Sequence, residues 1–141
     1  MGFQNNAKRV FTIPLQGTPS FNPVSATTYY ISNVNTTNTW EGIRCEQIEY
    51  NGIIRAASTI WFCNGTPGSA EVINAYIHFS PIKEYLFASV GTTSGQRIFR
   101  NNNLNIPVVV NDSFNIKFVC PTWTTLPTYI CISGLVWIEM T

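Results

Sequence analysis

The stretch YICISGLVWIEM, residues 129–140, is the most informative part of this sequence. Its alternate residues fall into two sets, and both are largely apolar, which is typical of a β-strand covered on each side. The first set, called the Gly134 face below, comprises Ile130, Ile132, Gly134, Val136 and Ile138. The second set comprises Cys131, Ser133, Leu135 and Trp137. One set must line the core. The other needs cover from a loop, an N-terminal arm or another copy of the chain, and an oligomer interface is the simplest cover.

The rest of the chain shows the same two-residue period. Val, Ile, Thr and aromatic residues dominate the apolar segments, and clusters of Gly, Pro, Asn and Ser separate them. The pattern predicts further strands over residues 27–32, 42–48, 52–63, 71–79, 84–90, 97–99 and 112–120. Within 52–63 one face would carry Ile54, Ala56, Ser58, Ile60 and Phe62. Many short antiparallel strands in 141 residues indicate an all-β sandwich, jelly roll or barrel.

The N-terminal residues have a different character. Residues 11–15 form a short strand-like piece, and 16–25 contain prolines and little periodicity. We interpret residues 1–25 as an extended arm and residues 26–141 as the folded domain.

Charge is scarce in this chain. Eight Lys and Arg residues face seven Asp and Glu residues, and charged residues make up 11% of the total, against about 25% in average proteins. The 45% hydrophobic content argues against disorder. The cations are too dispersed to form a nucleic-acid-binding patch. No apolar run is long enough to span a membrane. We therefore expect neither a nucleic-acid nor a membrane partner.

The cysteines are Cys45, Cys63, Cys120 and Cys131, and no two of them are spaced as a zinc-binding pair. Cys120 and Cys131 flank the segment PTWTTLPTYI, so two interpretations stand: a disulfide between paired strands, or buried free thiols. No acidic cluster typical of a calcium site is present. We expect no metal and no cofactor.

The sequence contains few candidate catalytic residues. His78 is the single histidine and lies in an alternating segment, where it is a face residue rather than a base. Glu46 and Glu49 would lie on opposite faces of a regular strand, so they do not form a catalytic carboxylate pair. The sequence predicts no enzymatic activity.

Residues 27–139 resemble the jelly-roll heads of the tumour necrosis factor and complement globular-head type, in the version found in phage and other microbial structural proteins. The matching stretches are residues 53–57, 65–71, 104–108, 111–117, 121–123 and 133–139. The family has Gly-Asp where this chain has Asn111-Asp112, and Asn tolerates the left-handed backbone that Gly would supply.

The resemblance implies a homotrimer with the last strand near the three-fold axis. By this analogy Ile132, Gly134, Val136 and Ile138 would meet their symmetry mates, and Tyr76 would join them. Lys8, Arg9 and Phe11 of the arm would anchor the trimer to a capsid.

The function that follows is a virion structural protein, a trimeric decoration or cement protein on a phage capsid, made in the host cytoplasm. Its partners would be other copies of itself and the major capsid protein or another virion protein. The alternative is the receptor- or glycan-binding head of a tail fibre or spike. In that case the tryptophans Trp40, Trp61 and Trp123 and the amides of residues 101–103 would contact a host surface glycan.

Overall fold

The computed structural model describes residues 9–15, 25–32, 36–37, 46–64, 71–91, 95–127 and 129–141. These residues form an all-β structure of two antiparallel sheets, which confirms the predicted fold class at that level. The strands in chain order are β1 (Val10–Leu15), β2 (Thr28–Ile31), β3 (Thr36–Thr37), β4 (Glu46–Gln47), β5 (Gly52–Asn64), β6 (Val72–Ser80), β7 (Lys83–Gly91), β8 (Gly95–Asn101), β9 (Ile106–Val108), β10 (Ser113–Val119) and β11 (Tyr129–Met140).

The first sheet has the strand order β1-β11-β5-β8, and β9 pairs with the start of β5. The second sheet has the order β3-β2-β10-β6-β7, and β4 pairs with the start of β10. Because β5 and β6 lie in different sheets, the chain crosses between the sheets after the long β5 strand. The last strand is therefore not at an edge: β11 pairs with β1 on one side and with β5 on the other.

The hydrophobic core lies between the two sheets and takes one face from each. The first sheet contributes Trp61, Ile132, Val136 and Ile138, and the second contributes Ile77, Phe114, Ile116 and Phe118, all at most 3% exposed. A Cβ atom added to Gly134 would collide with the side chain of Ile116, so the Gly134 face points at the second sheet.

This packing corrects the predicted interface. Ile132, Val136 and Ile138 are core residues of their own chain, with 3%, 0% and 0% of their surface exposed. They are not available to a symmetry mate in this fold. The alternation of β11 is as predicted, but the Gly134 face is inward and the Leu135 side is outward.

The N-terminal residues contribute to the first sheet. Residues 10–15 form β1, which pairs with β11 over its whole length, from Val10 opposite Glu139 to Leu15 opposite Gly134. The pairing is intramolecular, because the inward side chains of β1 complete the core and Leu15 is fully buried. Residues 1–8 and 16–24 of the predicted arm lie outside the described residues, and the boundary at residue 25 remains a prediction.

A bulge in β5 changes which residues share a face. Trp137 pairs with Ala56, but its neighbour Ile138 pairs with Ile54, so Arg55 is an extra residue in β5. Ile54 and Ala57 are both fully buried although they are three residues apart. In a regular strand they would face opposite ways. Ile54 therefore does not share a face with Ile60, contrary to the sequence prediction.

The Asn111-Asp112 turn has the geometry that the sequence indicated. Asn111 has a φ of 74°, the left-handed region that Asn tolerates better than most residues. The Asp112 carboxylate accepts a hydrogen bond from the Val109 N–H at 3.0 Å, which closes the turn before β10.

Both cysteines that the structure describes in full are free thiols. Cys120 follows β10 in the second sheet, whereas Cys131 lies on the outward side of β11 in the first sheet. The disulfide alternative is therefore wrong, because the two side chains belong to different layers. Burial raises the pKa of the Cys120 thiol to about 12.

Candidate assembly surface

The outward side of the first sheet is apolar and open. We call the outward side chains of β1, β11, β5 and β8 the outer face. Its exposed hydrophobic side chains are Ile60, Phe62 and Ile98, with 41%, 38% and 69% of their surface exposed, and Val10 at the start of β1, with 57%. Ile60 and Ile98 are directly opposite each other on paired strands, so they form one continuous ridge. The sequence pattern placed Ile60 and Phe62 on one face of a strand but gave no signal that this face is exposed.

A cleft lies beside this ridge. It has a volume of about 220 Å³ and is lined by Pro14, Ser58, Ile60, Ser133, Gly134 and Leu135. Its floor is low because the Ser58 and Ser133 side chains are small, and Gly134 lines it with backbone atoms. The outer face thus combines a protruding apolar ridge with a recess at its foot.

Charged side chains also lie on the outer face, and Arg100 follows Ile98 on the same side of β8, directly opposite Ser58 of the cleft. The Arg100 guanidinium lies 4.2 Å from the centroid of the Trp137 ring, a cation–π arrangement. The Glu139 carboxylate accepts from the Arg55 guanidinium at 3.2 Å, and Arg55 also donates to the Asn105 side chain at 2.7 Å. The exposed Arg100 therefore places a positive charge next to the ridge and the cleft, whereas the Arg55–Glu139 pair lies farther along the sheet.

Tyr76 does not join the Gly134 face. It is half-buried on the outward side of the second sheet, and the Lys117 ammonium lies 5.0 Å from its ring centroid. The Gly134 face points inward from the other sheet, so these residues cannot form one surface. The predicted grouping of Tyr76 with Ile132, Val136 and Ile138 is corrected for that reason.

The predicted capsid-anchoring residues lie at the start of β1. Lys8 is outside the described residues. Arg9 is exposed, and its carbonyl accepts a hydrogen bond from the Met140 N–H at 2.8 Å. Phe11 is half-buried and lines a second cleft, of about 400 Å³, together with Ile13, Gln47, Glu49, Tyr50 and Met140.

The predicted glycan-stacking residues are not accessible where they are described. Trp61 and Trp123 are buried, with 2% and 7% of their surface exposed, so neither can present its ring to a sugar. Trp40 lies outside the described residues. The Asn101 side chain makes hydrogen bonds within the chain. It donates to the Phe87 carbonyl at 3.3 Å and accepts from the Asn103 N–H at 2.9 Å.

His78 belongs to a charged cluster on the second sheet. Its Nδ1–H donates to the Glu84 carboxylate at 3.2 Å, and the Lys117 ammonium donates to the same oxygen at 2.6 Å. The Tyr30 ring packs against the imidazole with centroids 5.2 Å apart. The imidazole is 1% exposed, which closes it to a substrate arriving from solvent.

Acid should destabilise the protein through this cluster. Burial lowers the pKa of the His78 imidazole below its ordinary 6.5, although Glu84 opposes the effect. Below pH 6.5 the His78 imidazole becomes protonated in the unfolded chain before it does so in the folded chain. The free energy of unfolding therefore falls as the pH drops. For Glu84, burial alone would raise the carboxyl pKa, but the Lys117 and His78 hydrogen bonds lower it overall. Stability from Glu84 is therefore lost below about pH 4.5.

The measurement is urea denaturation of the wild type and His78→Gln between pH 8 and pH 4. We expect the wild type to lose stability in two stages, the first beginning near pH 6.5. The variant should lack the first stage and keep a decline below pH 4.5. An identical first stage in both proteins would show that His78 is not its source.

The described residues contain no group of three or more His, Cys, Asp or Glu side chains that could hold a metal ion. No helix among these described residues is long and apolar enough to cross a membrane.

Comparison with known proteins shows that the fold of this chain is similar to folds in solved structures. No protein-family model and no curated protein sequence matches this chain. Solved structures do match. A chain in a particle structure of infectious bursal disease virus is 10% identical to this chain, with a TM-score of 0.62. The match covers 99% of this chain and 35% of the viral chain. The Gx strain of that virus gives 12% identity and a TM-score of 0.59, over 99% and 36% of the two chains.

A chain of the cyanophage Pam1 capsid asymmetric unit is similar at 12% identity, with a TM-score of 0.56, over 100% of this chain and 91% of that one. This protein spans only about a third of the bursal disease virus chains but nearly all of the cyanophage chain. At these identities the likeness establishes a shared β-sandwich fold, and function must be argued from the surface.

Proposed function

We propose that this chain is a structural protein of a phage virion, a homotrimeric decoration or cement protein on the capsid surface. The observation that carries the proposal is the largely apolar outer face, with its exposed Ile60, Phe62 and Ile98 side chains, on a fold that also builds a phage capsid chain. An exposed apolar sheet face is unfavourable in water unless a partner covers it, and small monomers rarely keep one. A surface with this little charge suits a tightly assembled particle.

The strand order supports the jelly-roll part of the proposal. The first strand lies beside the last, β2 lies beside β10, and β5 and β6 lie in opposite sheets. Nested pairing of early with late strands across two sheets is the connectivity of a double Greek key. We propose the tumour necrosis factor-like form of this fold, with the Leu135 side of β11 in place of the Gly134 face toward the symmetry axis.

Attachment to the shell is assigned to the start of β1. Arg9 is exposed there beside the cleft that Phe11 and Met140 line, so a basic group lies next to a largely apolar recess that Glu49 also lines. Such a site fits a polar segment of the major capsid protein with an acidic group opposite Arg9. Lys8 precedes it in the chain and would add a second positive charge.

The glycan-binding alternative has weaker support. Of its three candidate tryptophans, Trp61 and Trp123 are buried. A catalytic role has none of the expected features in the described residues, since His78 is enclosed and engaged with Glu84.

The test is rebinding to capsids. Virions purified from the phage whose genome carries the gene should contain the chain in many copies, measured by quantitative mass spectrometry. Purified chain should cosediment with capsids that lack it. Arg9→Glu should weaken this binding by about tenfold or more, because reversing an exposed charge removes attraction and adds repulsion.

Lys83→Glu is the control, since it makes the same charge change at the start of β7; because Lys83 lies 3.9 Å from Asp112, a thermal melt must first show that this variant is folded. It should cosediment like the wild type. Absence of the chain from virions, or binding to host cells in place of capsids, would contradict the proposal.

A further inference from the structure

We infer that the edge of β1 turned away from β11 receives an extended segment of the major capsid protein as an added strand, with one apolar side chain of that segment in the cleft beside Phe11. This inference rests on the proposed function and deepens it, because it states how the start of β1 would hold the shell. The occupant is a segment of another protein, and neither a second copy of this chain nor another part of it.

The backbone of β1 shows which groups this edge offers. The Arg9 carbonyl accepts a hydrogen bond from the Met140 N–H at 2.8 Å, so Arg9 directs its backbone groups toward β11. The N–H and C=O of one strand residue point to the same side, and the side alternates along the strand. Val10, Thr12 and Pro14 therefore direct their backbone groups away from β11. In the described part of the chain β1 pairs with β11 alone, so these groups lie at a sheet edge.

Pro14 limits the usable length of this edge. Val10 and Thr12 each offer an N–H and a C=O, whereas Pro14 has no N–H. Proline on an edge strand is a common means of preventing strand addition. An added segment can therefore pair with the first half of β1, next to Arg9, but not with the second half. This edge fits a short recognition segment and resists extension of the sheet along its whole length.

The cleft beside Phe11 lies where a side chain of the added segment would point. Its volume is about 400 Å³, and it is lined by the half-buried Phe11 and Ile13 of β1 and by residues 47, 49, 50 and 140. Side chains of paired residues point to the same face of a sheet, so a residue opposite Phe11 or Ile13 would point into this cleft. Glu49 is exposed there and would repel a carboxylate, so the side chain that enters should be apolar.

Charge favours a foreign segment over a second copy. Residues 8–15 contain Lys8 and Arg9 and no acidic residue. Pairing of this edge with its own copy would place like charges along one interface, because the nearby Glu139 carboxylate is already paired with Arg55 at 3.2 Å. A capsid segment with an acidic residue close to Arg9 would instead be attracted. The expected segment is thus extended, with an acidic residue near an apolar one.

The experiment compares Thr12→Pro with Thr12→Ala in cosedimentation with capsids that lack the chain. Thr12→Pro removes an N–H directed away from β11 and keeps the β1–β11 pairing, as Pro14 does two residues further on. Thr12→Ala removes the same side chain but keeps the N–H, so it is the matched control. Thr12→Pro should weaken capsid binding by about tenfold, since a carbonyl of the capsid segment would be left without its donor. Thr12→Ala should bind like the wild type, and thermal melts should show that both variants are folded.

Amide hydrogen exchange of the wild type tests the same edge without a substitution. It is read by mass spectrometry with fragmentation to single residues, in the free chain and on the capsids. The Val10 and Thr12 amides should exchange quickly in the free chain and about tenfold more slowly on capsids, because the added strand would bond them. The Phe11 and Ile13 amides, which point toward β11, should be slow in both states. If Thr12→Pro does not fold, this measurement decides alone.

Equal capsid binding by folded Thr12→Pro and Thr12→Ala would overturn the inference, as would Val10 and Thr12 amides that stay unprotected on capsids. Both results leave the proposed function standing, because the wild type still binds. Slow exchange of these amides in the free chain would also overturn the inference. A second copy would then occupy the edge if the protection depends on protein concentration, and another part of this chain if it does not. A wild type that does not bind capsids would contradict the proposed function itself, and this inference with it.

Discussion

Replacement of Val136 by Asp should unfold the chain. Val136 is fully buried between Ile13 of β1 and Ala57 of β5, and its side points at the second sheet. A carboxylate at this position would lose its hydration without gaining a partner, which costs about 4 kcal/mol or more. That is comparable with the whole stability of many domains of this size. We expect no cooperative thermal transition and loss of the near-ultraviolet circular dichroism spectrum.

Leu135→Asp is the control for this prediction. Leu135 is adjacent in sequence, is half-buried and lies on the outer face. This variant should fold and lose only its oligomeric state. A folded monomer from Val136→Asp would show that the Gly134 face is an interface after all, and the inward placement of that face would be wrong.

Truncation of Trp61 to Ala should also cause a large loss of stability. Trp61 is among the largest fully buried side chains, with 2% of its surface exposed, and it pairs with Ile132 in the centre of the first sheet. Removal of a buried Trp side chain costs about 3–5 kcal/mol, from lost apolar burial and from the cavity that remains. Urea denaturation should show an unchanged slope and a midpoint lowered by this free-energy loss divided by the slope.

Trp61→Phe separates packing from hydrogen bonding. The indole N–H of Trp61 has no hydrogen-bond partner among the described residues, so its removal forfeits no bond. The Phe variant should therefore lose less than half as much stability as the Ala variant. If the two variants are equally destabilised, the N–H has a partner that matters. If both are near wild type, Trp61 is not part of the core, and its use in glycan stacking would have to be reconsidered.

The outer face links these stability predictions to function. Within β11, one residue in two holds the two sheets together, and the next one faces outward. A single strand therefore serves both the core and the proposed assembly surface. The same substitution should either unfold the chain or dissociate it, depending only on which side of β11 it falls.

Much of the architecture could be predicted because strands leave a local signature. The two-residue alternation of 52–63, 71–79 and 129–140 indicated three of the longest strands within one or two residues of β5, β6 and β11. The turn at Asn111 was also local, since its φ of 74° depends on that side chain and its neighbours. The short strands β3 and β9 were missed, because two or three residues are too few to display a period.

The candidate surface was predictable only in part. Both sides of residues 129–140 are apolar, so the sequence required two coverings without distinguishing them. Likewise, nothing local to His78 indicated Glu84 and Lys117 as its partners, since Lys117 comes from β10, across the sheet from β6.

By itself, therefore, the sequence determined that the chain is all-β, where its long strands lie, and that the last of them is apolar on both sides. Only the tertiary structure decided which side is inward. Alternation sets the spacing of side chains on a strand, but their direction depends on what packs against it. Here Ile116 of β10 packs over Gly134, so the side chains of Val136 and Ile138 point into the core. Leu135 and the Ile60–Ile98 ridge consequently lie on the outward side.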